Sequence, residues 1–270
     1  MDGDDSTHWK KLPADAEFLD ISDYARPMAH RVVAFLQHRP ISVLAVTSSF
    51  LVVGLVAAAF IAEGSYPSLL IAVALIQIKN LLDAVDGSLA RARKTPSRIG
   101  RFYDSFCDFI VGAAIFLALG YLLAQDIGMA AAPIALIAFL SVLLQNSLYC
   151  YHTVAHRLAA GGDTTSQLDE RQSDDGDGDW RLRYLLLAYV SIYSWQDELA
   201  ARSDSGAPVA KRPTAFLTTL SLCGLGTQLL GLCVFLAINK PQLYLWFVIG
   251  PMNLFTTGLI LWRRHSIRQV

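Results

Sequence analysis

The sequence is short of cysteine, of net charge and of the usual short-range signals. Its four cysteines, Cys107, Cys150, Cys223 and Cys233, fall in or at the ends of apolar runs and form no CxxC pair. That excludes a disulfide framework and a thiolate metal site and leaves small packing residues. A formal net charge of −1 gives no electrostatic footprint for nucleic acid, and none is expected as a partner. The first 38 residues lack the basic patch and apolar core of a cleavable signal peptide, so none is expected. No internal repeat is visible, and no broken-helix glycine or proline pair recurs at matching positions of two halves, which weighs against a repeat-built transporter. HTVAH, with His152 and His156, lacks the glutamate of a zinc-protease motif; the two are read as interfacial imidazoles near the carbonyl end of a helix. DGDGD, counted from Asp175, has Trp180 and Leu186 where a calcium loop needs glycine and glutamate.

What the chain has in quantity is apolar side chains, 54% of 270 residues, grouped in long runs. Six runs of about twenty residues, at 41–62, 67–89, 99–124, 129–150, 214–238 and 243–262, predict an all-α polytopic membrane protein with six transmembrane helices. Ahead of them, residues 1–39 read as a cytoplasmic segment. There Phe18, Ile21, Tyr24, Met28, Val32, Phe35 and Leu36 recur mostly at spacings of three or four, which predicts an interfacial amphipathic helix interrupted near Pro27; a soluble packing helix is the alternative. Residues 40–270 form the six-helix domain, with a cytoplasmic connection over 157–212 whose acidic stretch, 163–179, has the composition of a solvated loop. Residues 185–199 are apolar but short and end in Asp197 and Glu198, so they read as a cytoplasmic or interfacial helix and not as a seventh span. Gly224, Gly226 and Gly231, with Thr219, Ser221 and Thr227, suit close helix packing, with a homodimer contact as the other use of such a stripe.

Basic residues fix the orientation. Arg91, Arg93, Lys94, Arg98 and Arg101, then Arg157, Arg181, Arg183, Lys211 and Arg212, then Arg263, Arg264 and Arg268 all fall on one set of connections; the other set holds Lys240 alone. Both termini are therefore expected in the cytoplasm.

Within this apolar setting stand four aspartates, Asp83, Asp86, Asp104 and Asp108. Carboxylates at membrane depth are costly and mark a bound cation, a proton path or a polar cavity. Asp83 and Asp86 are i and i+3, with Gly87 and Ala90 on the same helix face, and Asp104 and Asp108 are i and i+4 on the next helix. Two facing helices can thus aim four oxygen ligands at one point, which selects a hard cation: Mg²⁺, Mn²⁺ or Ca²⁺. The competing reading is polar glue between helices, which rarely needs four carboxylates. Lys79 and Arg101 are each placed to pair with one of them, whereas Arg91 is expected to face away.

The pattern Asp83-x2-Asp86-Gly87-x2-Ala90-Arg91-x8-Gly100-x3-Asp104-x3-Asp108 resembles the signature of the CDP-alcohol phosphotransferase (CDP-alcohol phosphatidyltransferase) family, class I, with every motif residue and gap in place. The resemblance implies an integral-membrane enzyme of phospholipid biosynthesis that cleaves the pyrophosphate of a CDP-alcohol, transfers the phosphoryl-alcohol part to a second hydroxyl and releases CMP. It implies Mg²⁺ or Mn²⁺, two ions, on Asp83, Asp86 and Asp104, with Asp108 as the general base that also touches metal. Gly87, Ala90, Arg91 and Gly100 would form the pocket for CDP. Six spans resemble the branch that uses CDP-diacylglycerol and a small polar alcohol; the alternative is the CDP-choline or CDP-ethanolamine branch with diacylglycerol as acceptor. Glycerol phosphate, inositol phosphate, inositol and serine are the candidate acceptors. A phosphorylated one would want cations near Asp108, and Arg98, Arg101, His152 and Arg157 lie on the expected side, with Asn146, Tyr149 and Tyr151 as further lining. Ser105 stands where the glycerol-phosphate branch often has proline. A cation- or proton-coupled transporter is the alternative of another class, and a noncatalytic scaffold a third.

Overall fold

The computed structural model describes residues 12–168, 170, 180–204 and 212–267. Among them all regular structure is helical: α1 Arg26–Leu36, α2 Val43–Glu63, α3 Tyr66–Ala92, α4 Arg98–Ile127, α5 Ala131–Ala159, α6 Trp180–Ser203, α7 Thr214–Leu220, α8 Leu225–Ala237, α9 Pro241–Phe247 and α10 Asn253–Ile267.

Capping chemistry sets the boundaries that matter for the site. Ser42, Ser65 and Ser97 are the N-caps of α2, α3 and α4, each accepting a hydrogen bond from an N–H in the first turn. Gly64, at φ 80°, ends α2 in the left-handed conformation that favours glycine, and two residues later α3 starts back. α4 and α5 fold onto each other about the turn Gly128–Ala130, with Phe109 and Phe116 each 5.5 Å from Phe139, ring centre to ring centre. The main apolar core joins α2, α3, α4, α5, α8 and α9 through Ile61, Leu69, Leu119, Val142, Leu232 and Leu245.

Four stretches are long and apolar enough to cross a membrane: Val43–Glu63, Tyr66–Ala92, Arg98–Ala159 and Pro241–Ser266. The third, 62 residues long, contains both α4 and α5. A fifth is added if the pair Thr214–Cys223 and Leu225–Ala237, bent by 47°, is one span. α6 is not among them.

Two helix irregularities were not foreseen. The fifth expected span breaks at Gly224, which is extended at φ −71°, ψ 155°. The sixth carries a π turn, Val248–Met252, around Pro251, whose ring cannot sit in an unbroken ladder. Both lie in the second half of the chain, without counterparts among the described residues of the first.

The N-terminal segment also differs from its periodicity. Pro27 begins α1 instead of interrupting it, because a residue without an N–H and with φ already near −65° costs nothing in a first turn. Phe18, Ile21 and Tyr24 precede that helix, in a strap with 3-10 turns at Ala14–Ala16 and Ile21–Asp23. α1 buries Ala29 and Val33 against Val46, Val85 and Leu89 and exposes Met28 and Phe35.

Candidate active site

Because Ser97 fixes the start of α4, Asp104 and Asp108 fall on its second and third turns, facing Asp83 on α3. Asp83, Asp104 and Asp108 each offer an oxygen, and the three lie within 4.8 Å of one another. Asp86 stands apart from this trio: it is 4% exposed, and its Oδ2 accepts the Thr47 hydroxyl at 2.7 Å while Oδ1 accepts the Gly87 N–H. Lys79 donates to Asp83 Oδ2 at 2.7 Å and to Asp108 Oδ1, so it pairs with two aspartates where the sequence suggested one. Arg101 pairs with none of them; it meets Glu170 Oε1 at 2.6 Å.

Asp104 Oδ1 is buried and has no hydrogen-bond partner among the described residues. A buried carboxylate oxygen with nothing to accept from, beside two further carboxylates, fits a hard divalent cation.

All four aspartates line a cavity of about 610 Å³, within the usual range for a small-molecule site. Gly87 and Arg91 line it too. A Cβ on Gly87 would stand 3.5 Å from Arg91 Nη1, so Arg91 covers the glycine's open face and is turned toward the cavity, not away from it. Ala90 and Gly100 lie outside the lining; Gly100 supplies an N–H to the Ser97 cap at 3.0 Å.

Three walls of the cavity come from segments with no motif. The first is α6, which lies against α4 and α5. Its Tyr193 hydroxyl donates to the Ser105 carbonyl at 2.9 Å, Tyr189 packs 5.0 Å from Phe102, and the Ser147 hydroxyl donates to Gln196 Oε1 at 2.8 Å. Burial, reinforced by the charge of Asp108, pushes the Tyr193 phenol well above its ordinary pKa, keeping it a neutral donor. The only sequence signal for this wall is the i, i+4 spacing of the two tyrosines.

The second wall is the N-terminal strap. Asp20 accepts the Tyr149 hydroxyl at 2.5 Å, Ile21 N–H donates to Ser221 at 3.0 Å, and Gly226 N–H donates to Ser22 Oγ at 3.0 Å. Gly224 and Gly226 therefore receive the strap. The third wall is the start of the acidic connection. Glu170 is buried there, contrary to its expected solvation, because Arg101, Arg98 and the Gln167 N–H supply its partners. Burial acts to raise the Asp163 carboxyl, but hydrogen bonds from Thr165 and the guanidiniums of Arg157 and Arg91 outweigh it and hold the group below the usual carboxylate range.

The histidines are buried, not interfacial. His156 Nε2 donates to the Ala16 carbonyl at 3.0 Å and its Nδ1 accepts the Arg212 N–H at 3.0 Å, which together define a neutral imidazole that ties strap to bundle. His152 sits in a buried knot where Asp204 pairs with Arg212 at 2.7 Å and Arg263 at 3.0 Å. Arg98 and His152 do not line the cavity, whereas Arg101 and Arg157 do, as do Asn146, Tyr149 and Tyr151. Arg157 is 8% exposed, and its Nε and Nη2 have no hydrogen-bond partner among the described residues.

No curated protein matches the chain. Residues 41–167, which contain α2 to α5 and all four aspartates, match the family described as CDP-alcohol phosphatidyltransferase. That family transfers the phosphatidyl group of a CDP-alcohol and generally uses a divalent metal. The matched residues are thus similar to that family over a little under half of the chain, and they hold the complete aspartate motif, which folds to one cavity.

Proposed function

We propose that the protein transfers the phosphatidyl group of CDP-diacylglycerol to the hydroxyl of a small phosphorylated alcohol and releases CMP, as a step of phospholipid biosynthesis. The observation that carries the reading is the convergence of Asp83, Asp104 and Asp108, all within the matched residues 41–167, to within 4.8 Å at the cavity. Asp83, Asp86, Asp104 and Asp108 would hold Mg²⁺ or Mn²⁺. When bound, a divalent cation neutralises charge on the pyrophosphate oxygens and on the departing CMP, the main requirement of phosphoryl transfer.

The chain's own groups do the remainder. Asp108 accepts the proton of the acceptor hydroxyl as the new bond forms, since an ordinary carboxylate is too weak to remove it beforehand. Gly87 lets the nucleotide approach the α3 backbone, and Arg91, one turn on, opposes phosphate charge. Ala90 and Gly100 act behind this surface, as close packing and as the capped start of α4. Tyr189 and Tyr193 exclude water on the α6 side.

Arg157 supports the choice of acceptor class. The Asp163 carboxylate is close enough to act on the Arg157 guanidinium, yet Nε and Nη2 of Arg157 stay unmatched at the cavity among the described residues, and a phosphate suits that fork geometry. Inositol and serine bring no phosphate to that position. In the membrane, the reading is six spans, with α4 and α5 as two, the bent α7–α8 pair as one and α9–α10 as one. Sixty-two residues of helix would run about 93 Å, far beyond a hydrocarbon core, so Arg98–Ala159 must cross twice. Both termini, α6 and the aspartate cavity then face the cytoplasm.

The test is CMP release by purified protein with Mg²⁺ and CDP-diacylglycerol, supplying glycerol 3-phosphate, inositol phosphate, inositol and serine singly. Release that requires a phosphorylated acceptor and falls by at least about a hundredfold in Asp108→Asn is expected. Release with CDP-choline and diacylglycerol instead would transfer the assignment to the aminoalcohol branch.

A further inference from the structure

The four motif carboxylates have unequal surroundings, and a residue outside the motif makes the difference. Lys79 stands one turn before Asp83 on α3 and is 2% exposed. Its ammonium bridges Asp83 and Asp108 and sits 4.6 Å from the centre of the Phe50 ring on α2. Asp86 is occupied by Thr47 and the Gly87 N–H. Asp104 keeps Oδ1 buried and unmatched. One edge of the cluster, Asp83 with Asp108, thus already carries a cation that belongs to the chain; the Asp104 side carries none.

An ammonium and a divalent ion cannot share the same carboxylate oxygens, because both need close contact and repel each other strongly in a poorly solvated site. Moving Lys79 aside also forfeits two charge-assisted hydrogen bonds and an aromatic face. A purely structural role for Lys79, neutralising acid for the sake of folding, accounts for Asp83 and Asp108 but leaves the unmatched oxygen of Asp104 unexplained.

We infer that Lys79 is a resident counter-ion that makes the aspartate cluster take divalent cations unequally: the first ion on the Asp104 side, the second only by displacing Lys79 from Asp83 and Asp108. This rests on the divalent-ion reading of the same site. With Lys79 and one ion in place the cluster is close to charge balance, so a second ion gains little until a pyrophosphate adds negative charge. Lys79 then ties occupancy of the second position to arrival of the nucleotide. It is a positioning residue, acting through the ligands of the ion.

The experiment is a titration of purified protein with Mn²⁺, read as loss of the free-ion electron paramagnetic resonance signal, for wild type, Lys79→Met and Lys79→Arg, each with and without CDP. In wild type the second ion is expected to bind at least about tenfold more weakly than the first, with CDP narrowing the gap. Lys79→Met, which keeps length and removes charge, should bring the two affinities close together, and Lys79→Arg should keep them apart. Two equal sites in wild type, or an unchanged gap in Lys79→Met, would overturn the inference. The wild-type titration decides alone if the methionine variant does not fold. Wild-type protein that binds no Mn²⁺ at all sinks the divalent-ion reading itself, an outcome distinct from metal binding that ignores Lys79.

Discussion

Gly226 carries the N-terminal strap on bare backbone: its N–H donates to Ser22 Oγ, and a Cβ at this position would run into the Ser22 carbonyl oxygen. The clash is with the Ser22 backbone and not with a flexible side-chain tip, so room has to come from moving the strap or α8. Gly226→Ala is expected to cost about 1–3 kcal/mol, seen as a lower thermal midpoint in detergent, whereas Ser22→Ala, which removes only a hydrogen bond, costs about 1 kcal/mol. Equal, small effects of the two would show that the strap is not seated there. Single residues also mark where sequence reading stops. The spacing of Asp83, Asp86, Asp104 and Asp108 on two helices was legible because it follows from helical periodicity alone. That Asp86 would turn to Thr47, leaving a trio, was not, because it depends on how α2 packs beside α3. His152 and His156 were misplaced for the same reason: a histidine at a helix end looks interfacial until another segment covers it.

At the scale of elements, α6 has two working faces. Tyr189 and Tyr193 point to the cavity, while Trp180, Tyr184, Leu187, Trp195 and Leu199 are exposed along the opposite side. An exposed aromatic stripe with Arg181 and Arg183 near one end is the composition of a helix lying in the headgroup region. In reconstituted protein carrying Trp9→Phe, Trp246→Phe and Trp262→Phe, the remaining Trp180 and Trp195 are expected to be quenched by lipids brominated near the glycerol backbone and to resist aqueous iodide. Strong iodide quenching without lipid quenching would place α6 off the membrane. The sequence marked this helix by its apolar run and its terminal acids. It gave no sign that the inner face would wall the aspartate cavity, since two tyrosines one turn apart have no preferred destination until α4 and α5 are in position. The break at Gly224 was equally hidden: the apolar run continues through it, and what packs on it is a strap from more than 200 residues away.

For the whole molecule, the arrangement of spans decides which side of the membrane the cavity opens on. Thr95, between α3 and α4, and Gln125, near the far end of α4, are both exposed and should sit on opposite sides. In a Cys150→Ser background, Thr95→Cys is expected to react with a membrane-impermeant maleimide from the cytoplasmic face only, and Gln125→Cys from the other face only. Reversed labelling would invert the orientation and separate the site from its nucleotide donor. Distant segments are held together on the Thr95 side by Asp204 with Arg212 and Arg263, a buried set in which loss of the acid would leave two guanidiniums unmatched.

The sequence by itself determined the all-helical class with its long apolar runs, the family motif and the four carboxylates. Each of these is written in local terms: run length, i to i+4 spacing and the gaps of one motif. Only the tertiary structure decided that Lys79 bridges Asp83 and Asp108, that Arg91 turns toward the cavity, and that the strap, α6 and residues 166–168 close its sides. Those outcomes depend on contacts between segments far apart in the chain, where a side chain's partner is set by helix rotation and packing and no periodicity can supply it.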